Sequence, residues 1–410
     1  MTMTHADVVV VGAGAAGMMA AIQAASRGRS TILLEKNQQP GLKILISGGG
    51  RCNLTTTREG KDLELQYGKR RGRYLRHALR AFPPTALRTF IEDAGVPLRE
   101  EDLEKLFPVS QKARDVVVAL LQLVEQSGAE LRSNAPLKGI EHDGERFVLQ
   151  TPRGTVTATS VVLATGGLSY PKTGATGDGY AWCQQFGHTM TRTWPALAAL
   201  RCEEPWVRGL QGIVLKGVDI SCLDQAGKET MRRRRPILFT HKGLSGPAPM
   251  DLAGDIEEQD GHAQARFDFL PETHREPLEQ AWLTQAKLHG ARRVESVLPR
   301  TLPERMRHAL LAISGTELDD RLGSWSKDAR RRLLQAVKDL RVPVPKSLGY
   351  GHAEVTRGGI DLDEVDARTM QSKLQNGLFI CGELLDIDGP IGGFNFQAAF
   401  AMGRLAGLNA

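Results

Sequence analysis

Four stretches of the 410-residue sequence hold residues whose types and spacing can do chemistry. Gly12, Gly14 and Gly17 fit G-x-G-x-x-G, and Glu35 follows at about the 20-residue distance at which a ribose-binding acid is expected. Ser47-Gly48-Gly49-Gly50-Arg51-Cys52-Asn53 sets a run of glycines beside an arginine, a thiol and an amide. Thr165, Gly166 and Gly167 end the apolar run "SVVLATGG". Glu383, then Gly392, Gly393, Phe394 and Asn395, stand in the C-terminal "CGELLDIDGPIGGFNF". Such pieces suit a ligand with phosphates and hydroxyls, met by main-chain N–H groups and carboxylates.

Each glycine in regular structure costs roughly 0.5–1 kcal/mol relative to alanine, so a cluster needs a compensating role. In the first motif Gly12 allows a tight turn, Gly14 lets the backbone approach a pyrophosphate, and Gly17 lets helix pack on strand. The helix start adds unpaired N–H groups and a positive dipole end. Glu35 can accept hydrogen bonds from both hydroxyls of an adenosine ribose. The flanking elements agree, which an isolated glycine motif would not require. "ADVVVVGAG" reads as a buried strand, "AAGMMAAIQAASRG" as a helix stopping at Gly28, and "STILLEKN" as a second strand. For Ser47–Asn53 the glycines Gly48, Gly49 and Gly50 leave three readings open: a tight turn with positive φ, a close approach of the backbone to a ligand, or a loose loop.

The remaining chain must position these pieces. Residues 60–130 read as mainly helical, and 130–166 as a small β-meander returning to the main sheet. The texture changes near Pro195. Residues 196–270 carry short β segments such as "RRPILFTHKG", residues 272–345 read as helical, and Pro343 and Pro345 mark a return linker. The fold class expected is therefore α/β, with a split Rossmann-like domain. Its expected parts are 1–194 and 346–410, interrupted by a β-rich insertion at 195–271 and a helical subdomain at 272–345.

Composition narrows the class further. Hydrophobic residues at 41% and charged residues at 24% describe a globular chain. No apolar run nears the about 18 residues that cross a bilayer, and no secretory signal pattern is read at the start. The formal charge of +6 permits attraction to anions. Its basic runs are dispersed and aromatic residues are only 5%, so the expected partner is a small molecule rather than nucleic acid. Cys52, Cys183, Cys202, Cys222 and Cys381 form no CxxC pair and no disulfide framework. A reduced, cytoplasmic setting is expected, without metal, since the histidines form no ligand cluster. Oligomeric state is left open.

The whole chain resembles the YhiN/BaiN-like FAD-dependent oxidoreductases. The resemblance rests on the N-terminal unit, "GLKILISGGGRCNLT", "ATGGLSYPKTGATGDGYAWCQQFGH", "ILFTHKGLSGPAPM" and the stretch from "EVTRGGIDLDEVD" to "GRLAG". It implies a glutathione-reductase-like FAD domain with non-covalent FAD lying extended across it and the insertion covering the ring. Gly12, Gly14, Ala15 and Gly17 would hold the pyrophosphate. Glu35, with Lys36 and Lys43 nearby, would hold the adenosine ribose, and Leu137 would meet adenine. Thr165 and Gly166 would border the cofactor, Glu383 would hold the ribityl chain, and Gly392, Gly393, Phe394 and Asn395 would approach the flavin. Of the three readings of Ser47–Asn53 the resemblance implies the second, with the main chain of Gly48, Gly49 and Gly50 against the cofactor and Ser47, Arg51 and Asn53 adding polar contacts.

A second G-x-G-x-x-G is missing, so NADH or NADPH would visit the flavin transiently as reductant. Tyr170 and His241 are candidate proton donors. Cys52 is a candidate reactive thiol, but no resolving cysteine follows it. The activity implied is hydride transfer from NAD(P)H to an activated C=C or carbonyl group. A flavin oxidase of an amine-like substrate, or a flavin-binding protein acting on an RNA or protein partner, are the alternatives.

Overall fold

Val8, Val9, Val10 and Val11 are all buried, as β-branched residues are in a parallel strand covered on both faces. They belong to the strand Met3–Val11, which pairs in parallel with Thr31–Leu34 on one side and Gly154–Leu163 on the other. The computed structural model describes residues 3–410. It divides into two units, the stretch up to Trp194 joined with Ala353–Ala410, and Pro195–His352.

Among the described residues, seven strands form the central sheet of the first unit. Glu130–Arg132, Thr31–Leu34, Met3–Val11, Gly154–Leu163 and Leu378–Ile380 run parallel. Phe147–Thr151 and Gly139–His142 extend it as an antiparallel hairpin. Glu130–Arg132 is thus an outer parallel strand on the far side of Thr31–Leu34, not part of the meander to which the sequence pattern assigned it. Three residues are too few to display a period.

Helix Ala15–Ser26 connects the first two strands, and its alanines let the final helix, Phe394–Asn409, lie directly on it. A Cβ at Gly403 would fall 2.2 Å from the Ala16 carbonyl oxygen, and one at Gly407 would fall 2.2 Å from that of Ala20. This backbone-to-backbone crossing ties the C-terminal segment to the nucleotide-binding motif. Residues 60–126 supply the helices expected, but also a hairpin that the sequence concealed. Leu98–Glu101 pairs with Lys105–Pro108, and Thr55–Thr56 adds a third strand. The first hairpin strand alternates too little, with two exposed charged residues in succession, to announce itself.

In the second unit, one sheet orders Val214–Leu215, Ile237–Thr240, Gly243–Ser245, Leu200–Arg201 and Lys346–Ser347. Another orders Glu229–Arg233, Asp219–Leu223, Gln264–Asp268 and Leu340–Pro343. Helices Arg275–Leu288, Glu304–Ser314 and Lys327–Lys338 lie in sequence between its last two strands. The helical stretch is therefore an excursion within one unit rather than a separate subdomain. The return to the first unit falls at Ala353 instead of 346, because Lys346–Ser347 is held by pairing with Leu200–Arg201. No helix among the described residues is long and apolar enough to cross a membrane.

Candidate functional site

Strand register lines up the chemical residues. Val11 pairs with Leu34 and Leu163, and Leu163 pairs with Ile380. The carboxyl ends of four adjacent parallel strands therefore lead directly into Glu35, Gly12–Gly14, Ala164–Gly166 and Gly382–Glu383. Strands lie about 4.8 Å apart, so this rim spans roughly 14 Å. It suits a long ligand laid across strand ends, where open α/β sheets bind their ligands.

At the centre of the rim Gly12 has φ 102°. A Cβ at Gly12 would lie 2.6 Å from the Ala164 carbonyl oxygen, and one at Gly17 only 1.8 Å from that of Gly12. The turn, the neighbouring strand end and the helix are thus in backbone contact. Gly14 differs: a Cβ there meets nothing within 4 Å. It is the N-cap of Ala15–Ser26, with no side-chain cap and no acid in the first turn. The N–H groups of Ala15, Ala16 and Gly17 therefore face outward from the helix start, ready for an anion. The Thr165 hydroxyl is buried without a hydrogen-bond partner, against the backbone of Gly179. Gly166, at φ 75°, also borders open space. An uncapped helix start and open space at Gly14 and Gly166 fit the diphosphate half of FAD.

At one end of the rim Glu35 is 8% exposed. One carboxylate oxygen accepts from Ala13 N at 2.9 Å, the other from the backbone and side-chain nitrogens of Asn37 at 2.8 and 2.9 Å. These bonds pin the carboxylate beside the glycine turn and leave a further lone pair on Oε2, the oxygen bonded to Ala13 N. The chain before Leu137 is sewn to the same place, with Ala135 N donating to Glu35 O at 2.9 Å. Lys36 turns away. Its Nζ pairs with Asp178 at 2.7 Å and donates to Thr176.

At the other end Glu383 anchors a network that sequence alone does not suggest. It accepts from Lys43 Nζ at 2.8 Å, Ser169 Oγ at 2.8 Å and Thr356 N at 2.9 Å. Thr356 Oγ1 accepts from Leu168 N at 2.8 Å. Lys43 thus belongs with Glu383, 340 positions away in sequence, and not with Glu35. A Cβ at Gly167 would lie 2.8 Å from the Glu383 carboxylate, so this glycine is required for the approach.

The Ser47–Asn53 loop winds through left-handed residues, with φ 55° at Gly48, 70° at Gly49, 84° at Gly50 and 62° at Cys52. A Cβ at Gly49 meets nothing within 4 Å, so its face is open. The loop's side chains mostly fix the loop itself. Ser47 Oγ donates to Ile44 O at 2.7 Å. Arg51 lies over Phe107 at 4.2 Å, pairs with Glu101 and donates to Gln111, both at 2.9 Å. These two side chains are thus held by the preceding helix end and by the hidden hairpin.

Asn53, with its amide oriented as its neighbours require, donates to Thr55 O and accepts from Gly393 N at 3.0 Å. It clamps the loop to the start of the last helix. Gly392 and Gly393, at φ 143° and 86°, turn the chain into that helix, which has no side-chain cap. The Phe394 ring is buried in T-shaped contact with Tyr67, so it stabilises the core instead of meeting a ligand. Asn395 bonds both the N–H and C=O of Gly389 at 2.9 Å, fixing the turn.

The reactive-residue candidates separate. Cys52 is fully buried, and desolvation pushes its thiol up to about 12, which corrects the reading of a reactive thiolate. Tyr170 adopts a left-handed conformation, φ 51° and ψ 63°, and burial followed by the Glu354 charge raises its phenol above the ordinary range. Its phenol therefore keeps its proton at neutral pH. His241 is an exposed turn residue of the second unit, between Ile237–Thr240 and Gly243–Ser245. No group of three or more metal-ligating side chains occurs among the described residues.

Fold and rim define a Rossmann-type, FAD-dependent oxidoreductase. The chain belongs to the family described as HI0933-like protein Rossmann domain, whose model matches residues 6–409. It is 32% identical to the ribosomal RNA dihydrouridine synthase of Escherichia coli (strain K12), over 97% of this chain and 96% of that protein. It is 27% identical to the 3-dehydro-bile acid delta(4,6)-reductase of Clostridium scindens (strain ATCC 35704 / DSM 5676 / VPI 13733 / 19), over 98% of each. In fold it is similar to the 3-ketosteroid-delta4-(5alpha)-dehydrogenase of Rhodococcus jostii RHA1, with a TM-score of 0.50 at 16% identity, covering 99% of this chain and 96% of that one.

Proposed function

We propose that this protein uses NADH or NADPH to reduce a carbon–carbon double bond conjugated to a carbonyl, and that its substrate is the uracil C5=C6 bond of an RNA. The observation carrying this reading is the end-to-end similarity to the E. coli relative. Dihydrouridine differs from uridine only by hydrogen added across that bond. The delta(4,6)-reductase relative acts, by its name, on unsaturation of another skeleton, so an enone-like bond is common to both. Bound FAD would supply the two-electron carrier that accepts hydride from the nicotinamide and returns it to the electron-poor carbon of the substrate.

The chain's own residues would bind and orient. The helix start at Ala15, with Gly12, Gly14 and Thr165, would hold the diphosphate, and Glu35 the adenosine ribose. Glu383, braced by Lys43, Ser169 and Thr356, would face the ribityl chain. The start of Phe394–Asn409 would offer positive partial charge to the ring end of the cofactor. Tyr170 would deliver the proton that the adjacent carbon needs once hydride has been added.

The test is anaerobic incubation of the holoprotein and NADPH or NADH with unmodified ribosomal RNA transcripts, followed by nuclease digestion and mass spectrometry. A uridine fragment heavier by two hydrogens supports the reading. Reduction of steroid enones with no change in RNA would move the substrate to that class. Flavin that neither nicotinamide reduces would overturn the electron donor.

A further inference from the structure

Arg201 and Lys346 stand directly opposite each other in the antiparallel pair Leu200–Arg201 and Lys346–Ser347. Both are exposed, on the face opposite buried Leu200 and Ser347. Like charges at such a cross-strand position repel and destabilise a sheet. On its other side Arg201 faces Gly243, which carries no side chain to screen it. The hairpin turn at His241 and Lys242 adds two further exposed groups. Its position is fixed by Cys202 N, which donates to Lys242 O at 3.2 Å.

This cluster differs from the other basic runs of the unit. Arg232 and Arg234 are paired with Glu229 and Asp219 respectively, and Arg235 with Asp251. The nearby Glu203 pairs with Arg208 instead. Farther along the same face, beyond Ser245, whose hydroxyl meets Met250 Sδ at 3.8 Å, Val214 is 50% exposed and lies opposite Leu238. The cations at one end of this face match the phosphates of a nucleic-acid strand.

We infer that the exposed cationic end of this sheet face, through Arg201, Lys346, Lys242 and His241, is the docking surface for the RNA backbone. The inference rests on the reading of RNA as substrate and adds where the RNA binds. Its physical basis is charge complementarity. A polyanion neutralises Arg201 and Lys346 together, which removes a repulsion that the free protein bears and releases counterions from the phosphates.

The experiment measures binding of the FAD-loaded protein to a fluorescein-labelled, unmodified ribosomal RNA transcript by anisotropy over a salt series. R201A/K346A should weaken binding about 10- to 100-fold and flatten the log K against log salt slope by about 1.4–1.8, the value for two lost phosphate contacts. Lys346→Glu, which sets a carboxylate opposite Arg201 and so favours the sheet, should weaken binding at least as much without lowering thermal stability. Arg331→Ala, an exposed arginine on the helix Lys327–Lys338, should leave both quantities unchanged. Unchanged affinity and slope in the first two variants would overturn the surface, as would wild-type protein that does not bind the RNA. Binding that depends on these residues without formation of dihydrouridine would sustain the surface and refute the chemistry. Dihydrouridine formation that ignores both variants would do the reverse.

Discussion

Gly14→Ala separates cofactor binding from folding. Gly14 has φ −88° and ψ −170°, a conformation open to alanine, and an added Cβ meets no protein atom within 4 Å. Alanine is a poorer N-cap than glycine by several tenths of a kcal/mol or more. Its stiffer unfolded chain returns about 0.4–1 kcal/mol. The two effects nearly cancel, so the melting temperature of the apoprotein should move by no more than about 2 °C.

The methyl group would nevertheless fill the space in front of the Ala15–Gly17 N–H groups. Displacing a diphosphate from one such donor forfeits a hydrogen bond to a charged group, about 1.5–3 kcal/mol. FAD affinity should therefore fall about 10- to 150-fold, a tenfold change being 1.4 kcal/mol. Titration of apoprotein with FAD, followed by quenching of flavin fluorescence, measures the change directly. Gly17→Ala is the contrasting control: its Cβ, 1.8 Å from Gly12 O, forces the turn and helix apart, so both stability and binding should suffer. A Gly14→Ala protein that melts normally and binds FAD within threefold of wild type would refute the proposed cradle.

Further outcomes are expected elsewhere. Gly403→Val should cost more than about 3 kcal/mol in urea unfolding, since its Cβ would overlap the Ala16 carbonyl oxygen; a cost below 1 kcal/mol would contradict the close helix crossing. Removing the cation in Lys43→Met should cost about 1.5–3 kcal/mol, and a double-mutant cycle with Glu383→Gln should show coupling above about 1 kcal/mol. Tyr170→Phe should slow turnover while leaving flavin content and the rate of flavin reduction by nicotinamide unchanged; equal slowing of both steps would remove Tyr170 as proton donor. Cys52 and Cys381 hold their protons to about 12 in the fold, above the ordinary value of 9.0. Their contribution to stability is thus complete below about pH 9 and declines toward pH 12 as the unfolded chain ionises first. Iodoacetamide at pH 8 should leave Cys52 unlabelled until the protein is denatured, and rapid native labelling detected by peptide mass spectrometry would disprove its burial.

The nucleotide-binding end was legible in the sequence because its parts are local. Gly12, Gly14 and Gly17 fall on one turn and the helix start after it, and Glu35 closes the next strand, so spacing along the chain encodes spacing in space. The Ser47–Asn53 loop announced its backbone conformation through its glycines, and its left-handed residues follow from that. The partners of its side chains were hidden. Arg51 finds Glu101 and Gln111 only because the charged hairpin folds beside it. Cys52 lost its candidacy as a thiolate through burial, a property of the assembled core.

What the sequence by itself determined is the β-α-β unit, the classes of ligand chemistry in it, and the change of texture at Pro195. Those features depend on backbone preferences and periods that act over a few residues. Only the tertiary structure decided that Lys43 belongs to Glu383, that Ser169 and Thr356 complete that carboxylate's shell, and that Arg201 and Lys346 stand opposed on one face. Such pairings depend on strand register and helix crossing, where contacts between distant segments override any local preference.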